Sequence, residues 1–247
     1  MRILVTNDDG IHAAGLGRLA ESLRSIGEVW IVAPEQPQNA VGRSLTLHRP
    51  LRVMQVAERS VTVNGTPSDC VNLAMNGLLP ERPAFVVSGI NHGANMADDI
   101  PYSGTVAAAF EATLWGIPAI AVSLYGKQPC DFAPAAAFAA RVVRAAHANG
   151  LPSGTFLNVN VPDTGGEPVA SYRITMQGKS IYDGQIDRRV NPRGETYYWI
   201  GGDGTRFHDI PGSDADAVLR SRCASITPIR IDWTDHAAMP ILCRWRI

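Results

Sequence analysis

The feature that most constrains this sequence is the alternation of short, continuous apolar runs with segments of helical periodicity. Residues 2–6 form an apolar run that contains β-branched residues, and residues 29–33 form another. Between them, large aliphatic side chains recur every three or four residues from Leu16 to Ile26, which is the spacing of one helix face. This order predicts a right-handed βαβ unit, the building block of a doubly wound, mostly parallel α/β sheet.

The same alternation continues along the chain. Residues 66–69 predict a helix start, because Thr66 suits the N-cap, Pro67 the first helical position and Asp69 the third. Another helix is predicted to begin near Thr105. Further buried strands are predicted at residues 84–88, 118–123 and 155–159.

The character of the sequence changes after about residue 162. The strand-like segments beyond this point are short and polar, and residues 191–194 (NPRG) predict a hairpin turn. We therefore expect a Rossmann-like core over residues 1–162, and an arm or small second subdomain over residues 163–247.

Composition excludes several classes of protein. The 247 residues carry a formal net charge of -1, so the chain has no overall electrostatic attraction to nucleic acid or to an anionic membrane. No apolar run approaches the ~20 residues that a membrane-spanning helix needs. The four cysteines are dispersed and form no C-x-x-C pair, which is typical of reduced thiols. We expect a cytoplasmic protein that binds neither nucleic acid nor membrane.

Two adjacent acids, Asp8 and Asp9, follow the first predicted strand. They would lie at the carboxyl edge of the sheet, where doubly wound proteins bind ligands. A divalent cation would compensate such a pair, although a solvated turn explains it as well. Asn91 and Asn95 follow another predicted strand and offer amide oxygens at the same edge. Together the two loops favour a site for Mg²⁺, Mn²⁺ or Ca²⁺ over zinc.

Ser103, Gly104 and Thr105 precede an alanine-rich helix. Free N–H groups at a helix start, with hydroxyl groups beside them, form an anion site, and Gly104 would let the backbone approach the ligand. Ser103 could instead serve only as the helix cap. Next to a metal site, the phosphate-binding interpretation is favoured. The sequence has no P-loop, dinucleotide-binding or nucleophile-elbow motif that would indicate another chemistry.

Several ordered sequence blocks occur along the chain, namely residues 7–12 (NDDGIH), 65–71 (GTPSDCV), 88–95 (SGINHGAN), 102–106 (YSGTV), 157–162 (LNVNVP) and 225–228 (SITP), with Asp235 and His236 near the end. Together they resemble the SurE survival-protein family of nucleotidases over essentially the whole chain. The resemblance implies metal-dependent hydrolysis of nucleoside 5′- and 3′-monophosphates, and in some members of short polyphosphate. It also implies homodimers or homotetramers that assemble through a β-hairpin arm and an exchanged C-terminal tail.

The resemblance further implies that Asp8, Asp9 and Asn91 are ligands of one divalent metal ion per subunit, Mg²⁺ or Mn²⁺. The family's fourth ligand is a serine in the loop after the second strand, and this chain has Asn39 there. An Asn amide oxygen can still bind the metal. The altered loop would also suit a non-enzymatic regulator that binds nucleotide or metal. A third alternative is an enzyme that acts chiefly on polyphosphate.

The same loop departs from the family at two more positions. Ala40 stands where glycine is usual, and Arg43 stands where Asn or His is usual. Arg43 could pair with phosphate through two hydrogen bonds. In the expected mechanism, the Asn95 side chain and the backbone N–H groups of residues 103–105 stabilise charge on the phosphate oxygens.

Overall fold

The computed structural model describes residues 1–182, 184, 186–200 and 206–246. The strands are β1 (Arg2–Thr6), β2 (Glu28–Pro34), β3 (Val53–Ala57), β4 (Ser60–Val63), β5 (Phe85–His92), β6 (Ala119–Tyr125), β7 (Thr155–Pro162), β8 (Tyr172–Ile174), β9 (Ser180–Ile181), β10 (Ile186–Val190), β11 (Thr196–Ile200), β12 (Arg206–Phe207) and β13 (Ala224–Arg230). The α-helices are α1 (Ala14–Leu23), α2 (Pro67–Leu73), α3 (Gly104–Leu114), α4 (Ala133–Asn149) and α5 (Met239–Leu242). None of the helices in the described ranges has the length and apolar character that crossing a bilayer requires.

A nine-stranded sheet in the order β3-β4-β2-β1-β5-β6-β7-β13-β8 forms the centre of the molecule. Neighbouring strands from β4 to β7 are parallel, whereas β3 and β13 run antiparallel to β4 and β7. The helices α1 and α4 pack into a core on one face, and α2 and α3 pack into a core on the other. The predicted doubly wound, mostly parallel α/β fold is confirmed.

The local patterns explain why the helices begin and pack where they do. α1 buries Leu16, Leu19 and Leu23 from the predicted stripe. At the start of α2, the Thr66 hydroxyl oxygen accepts a hydrogen bond from the Asp69 N–H at 3.1 Å, and Asp69 accepts one from the Thr66 N–H at 2.8 Å. This reciprocal capping confirms the predicted helix start.

β5 is longer than the predicted strand at residues 84–88, because a bulge carries it through residues that resemble a turn. Its register against β6 shifts between Ser88 and Asn91. Gly89 has a φ of +135°, and a Cβ there would lie 2.3 Å from the Val122 carbonyl oxygen. Only glycine fits this close approach, and after the bulge the strand resumes pairing at Asn91.

The central sheet extends past residue 162. β13 returns antiparallel to β7, burying Ala224 and Ile226, and β8 pairs with β13 at the edge. β13 and β8 fall within residues 163–247, which were expected to form an arm or a small second subdomain, but they belong to the central sheet because apolar side chains of β13 complete its core. The predicted turn at residues 191–194 is confirmed, since it joins β10 and β11. The division of the chain into a core and an arm stays a prediction.

Candidate active site

A polar cavity of about 340 Å³ opens at the carboxyl ends of β1, β2 and β5. These three strands are neighbours, and the helices that follow β1 and β5 lie on opposite faces of the sheet. The cavity therefore occupies the switch point of the strand order, where doubly wound folds bind ligands. Its walls bring together most of the side chains predicted from the sequence, namely Asp8, Asp9, Asn39, Asn91, Asn95 and Ser103.

Asp8 is buried, with 5% of its surface exposed, and it holds the start of α3. One carboxylate oxygen accepts a hydrogen bond from the Thr105 N–H at 3.0 Å, and the other accepts one from the Thr105 hydroxyl group. Burial raises the pKa of Asp8 above its ordinary value, the Thr105 hydroxyl opposes this shift, and the charge of Asp9 adds to it. A cation beside this carboxylate would favour its charged form.

Asp9 is half-buried and less constrained than Asp8. Its Oδ2 accepts a hydrogen bond from the His92 N–H at 3.3 Å, and its Oδ1 accepts none from the described part of the chain. Burial raises the pKa of Asp9 as well. One oxygen of this carboxylate is thus available to a ligand in the cavity.

Asn91 is oriented by its own loop. Its Nδ2 donates a hydrogen bond to the Gly93 carbonyl oxygen at 2.8 Å. Its amide oxygen accepts no hydrogen bond from the described residues. Asn39 is exposed in the loop after β2 and lines the same cavity. No three His, Cys, Asp or Glu side chains in the described ranges could together hold a metal ion. A cation here would need amide oxygens in addition to the two carboxylates, and the residues present fit a hard, oxygen-binding cation.

Asn95 is fixed by a buried network of amides that the sequence reasoning did not find. Its backbone N–H donates to Asn160 Oδ1 at 2.8 Å, and its carbonyl oxygen accepts from Asn158 and Asn160 at 2.8 and 3.0 Å. Its Nδ2 donates to Ser123 Oγ at 2.8 Å, which leaves a second amide hydrogen for a ligand. The available signal was the spacing of Asn158 and Asn160, which places two polar side chains on one face of an apolar strand.

The start of α3 is used differently from the sequence-based expectation. The N–H and hydroxyl groups of Thr105 bind Asp8, and the Val106 N–H donates to Ser103 Oγ at 3.1 Å. The Gly104 N–H has no acceptor among the described residues. A Cβ at Gly104 would lie 2.8 Å from Asp8 Cβ and 3.0 Å from Asp8 Oδ2. The glycine therefore makes room for a carboxylate of the protein itself.

Arg43 packs against an aromatic ring instead of facing the acidic cavity. Its guanidinium carbon is 3.6 Å from the centre of the Phe110 ring, and it does not line the cavity of Asp8 and Asp9. The cavity wall instead includes His92, Asp99 and Tyr102, which were not assigned to the site from the sequence. Their positions depend on how the loop between β5 and α3 folds, and no local pattern predicts that.

The comparison with known families gives a direct match. The family model described as "Survival protein SurE" matches residues 3–184, most of this chain. The chain belongs to the SurE family. The resemblance drawn from the sequence blocks is therefore confirmed.

SurE-family relatives cover almost the whole chain. The 5′-nucleotidase SurE of Geobacter sulfurreducens is 54% identical over 246 residues, which are 99% of this chain and 94% of the relative. That of Myxococcus xanthus is 49% identical over 247 residues, which are 100% of this chain and 94% of the relative. The crystal structure of SurE from Aquifex aeolicus matches with a TM-score of 0.87 and 36% identity, covering 98% of both chains.

Proposed function

We propose that this SurE-family chain hydrolyses nucleoside 5′-monophosphates, and also 3′-monophosphates, to nucleoside and phosphate in a reaction that depends on a divalent metal ion. The observation that carries the proposal is the convergence of Asp8, Asp9, Asn39 and Asn91 beside the start of α3. Relatives of about the same length that bear the name 5′-nucleotidase SurE support the same activity.

Asp8, Asp9, Asn39 and Asn91 would hold one Mg²⁺ or Mn²⁺ per subunit. The support is that Asp9 Oδ1 and Asn91 Oδ1 receive no hydrogen bond from the described residues, and that both carboxyl pKa values are raised by burial. When bound, such an ion supplies positive charge that polarises a phosphate oxygen and activates water.

The remaining polar groups of the cavity would bind the phosphate. The free N–H of Gly104, the second amide hydrogen of Asn95 and the Ser103 hydroxyl group can donate to phosphoryl oxygens. α3 and the amide network hold these donors in place, so the donors need little reorganisation when negative charge develops on the phosphate. Asn95 would thus act together with the two carboxylates in catalysis.

Asp9→Asn and Asp8→Asn test this function. We expect both variants to lose Mn²⁺-dependent hydrolysis of AMP while keeping the circular dichroism of the parent. Asp9→Asn is the cleaner variant, because Asp8 also holds α3 through Thr105. Glu21→Gln, an exposed acid on α1, is the matched control and should retain activity.

The assay separates the alternatives. Each variant is measured with AMP, 3′-AMP and tripolyphosphate, with Mn²⁺ or with a chelator. Undiminished turnover in both aspartate variants would refute the site. Binding of AMP without turnover in the parent would favour a non-enzymatic regulator, and a clear preference for tripolyphosphate would favour a polyphosphatase.

The assembly expected from the family is a homodimer or homotetramer built through the arm and the C-terminal tail. In its support, Trp199 and Ile200 of β11 are 61% and 92% exposed, and Trp245 of the tail is 64% exposed. Solvent-exposed apolar side chains in such number favour a protein interface. Truncation after residue 230 should lower the molar mass measured by light scattering, and an unchanged mass would argue against a role of the tail.

A cytoplasmic location is also part of the proposal. Its support is that Cys70, Cys130, Cys223 and Cys243 are all free thiols. Fractionation of the producing cells, with immunodetection of the chain, tests it.

A further inference from the structure

A second, smaller cavity of about 90 Å³ adjoins the polar cavity. Ser103 lines both of them. The loop after β2 also borders both, because Asn39 faces the polar cavity and Arg43 faces the second one. The two cavities therefore share a wall at Ser103, at the start of α3.

The second cavity is walled by aromatic rings under an arginine. The Arg43 guanidinium carbon lies 3.6 Å from the centre of the Phe110 ring and 5.0 Å from that of Trp233. The two rings meet edge to face with their centres 5.6 Å apart. We name this set, Arg43, Phe110 and Trp233, the aromatic cavity. Planar cations and aromatic rings are the groups on which nucleobases stack.

Arg43 and Trp233 are both solvent-exposed and accessible to a ligand. Arg43 is exposed, and no carboxylate in the described part of the chain pairs with it. Trp233 is 67% exposed, whereas Phe110 is only 4% exposed and anchors the cavity in the core. A flat ring could replace the contact of the guanidinium with Phe110 without breaking an ion pair.

The spacing along α3 suits a mononucleotide. Ser103 caps the helix, and Phe110 lies seven residues further along it. At 1.5 Å per residue this separation is about 10 Å. The aromatic cavity therefore lies within about two helical turns of a phosphate bound at the start of α3.

We propose that the aromatic cavity is a nucleobase subsite that favours nucleoside monophosphates over phosphomonoesters that lack a base. The proposal rests on the proposed function and deepens it. It also gives Arg43 a role different from the phosphate contact expected from the sequence. Arg43 and Trp233 stack on the base, and Phe110 forms the floor.

The test compares AMP with ribose 5-phosphate, which has the same phosphate and sugar but no base. In Arg43→Ala, the ratio of kcat/KM for AMP to that for ribose 5-phosphate should fall about tenfold, the usual effect of losing one stacking partner. Arg82→Ala is the matched control, because Arg82 lies over the Trp115 ring at 5.2 Å outside both cavities, and it should leave the ratio unchanged. An equal loss on both substrates in Arg43→Ala would assign Arg43 to the phosphate and overturn the proposal.

A binding measurement keeps this test independent of the proposed activity. Adenosine has a base but no phosphate, so its stacking should quench tryptophan fluorescence in the parent even if neither phosphomonoester is hydrolysed. The quench should be lost in Trp233→Phe. In Arg43→Ala, the affinity for adenosine obtained from the quench should fall about tenfold. Absence of quenching in the parent, or a full quench in Trp233→Phe, would overturn the subsite.

Discussion

Gly104→Ala tests whether the contact between Asp8 and the start of α3 sets the geometry of the candidate active site. The new Cβ would lie 2.8 Å from Asp8 Cβ and 3.2 Å from Pro67 Cγ. Carbon atoms pack at about 3.5–4.0 Å, so Asp8 and the helix must separate by about 1 Å. Asp8 cannot simply rotate away, because both of its oxygens are bound to Thr105.

The size of the effect follows from this displacement. A misplacement of about 1 Å in a catalytic group can lower the rate about 100-fold. Overpacking of a buried contact also lowers the free energy of unfolding by about 1–3 kcal/mol. We therefore expect kcat/KM for AMP to fall about 100-fold in Gly104→Ala, together with weaker Mn²⁺ binding and a lower melting temperature.

Steady-state hydrolysis of AMP, calorimetric titration with Mn²⁺ and thermal unfolding measure the three effects. Gly17→Ala is the control, because Gly17 lies inside α1 and a Cβ there meets no atom within 4 Å. That variant should keep full activity and gain up to about 1 kcal/mol of stability from helix propensity. If Gly104→Ala kept the activity and Mn²⁺ affinity of the parent, the close contact with Asp8 would not matter for the site.

Two further predictions concern the cavity wall and the two aspartates. Tyr182 donates a hydrogen bond to Asp99 Oδ1 at 2.8 Å, so Tyr182→Phe should free this carboxylate to repel phosphate and raise KM for AMP about fivefold. Tyr198→Phe on β11 is its control, and equal kinetics of the two variants would count against the prediction. Because burial raises the pKa of Asp8 and Asp9, the metal-free fold binds protons more tightly than the unfolded chain, and its stability should fall as pH rises through the folded pKa values. Mn²⁺ binds the deprotonated carboxylates, so the stabilisation by Mn²⁺, about 2.7 kcal/mol at 100 times Kd, should shrink as pH falls. Melting curves with Mn²⁺ and with chelator, recorded across the pH range in which the two carboxyl groups titrate, measure both trends. A stabilisation by Mn²⁺ that does not change with pH would contradict the assignment of Asp8 and Asp9 as metal ligands.

The position of the site could be predicted from the sequence because the carboxyl ends of parallel strands meet at one sheet edge. Asp8, Asp9 and Asn91 follow or end such strands, and they line one cavity. The partner of the helix start could not be predicted in the same way. Free N–H groups at Thr105 indicate that an acceptor is present, but the local sequence does not say whether it is a ligand or Asp8.

Long-range pairing limited the prediction of the fold in a similar way. β13 lies far along the chain from β7, so its place in the sheet depends on tertiary contacts rather than on a local pattern. The residues of the bulge in β5 have the composition of a turn, so the strand was predicted to end at Ser88 before it reaches Asn91. The role of Arg43 could not be predicted for a different reason, because an arginine suits both phosphate and aromatic rings, and its position depends on where the Phe110 side chain lies.

The two hydrogen bonds that Asp8 accepts from Thr105 have an evolutionary consequence. A homologue that had lost its chemistry would still be expected to keep this aspartate, because it also positions the start of α3 through Thr105. Asp9 and Asn91 hold no such helix, and they would be free to drift once selection for turnover ended. The identities at these two positions, rather than at Asp8, should therefore tell active from inactive descendants of this protein.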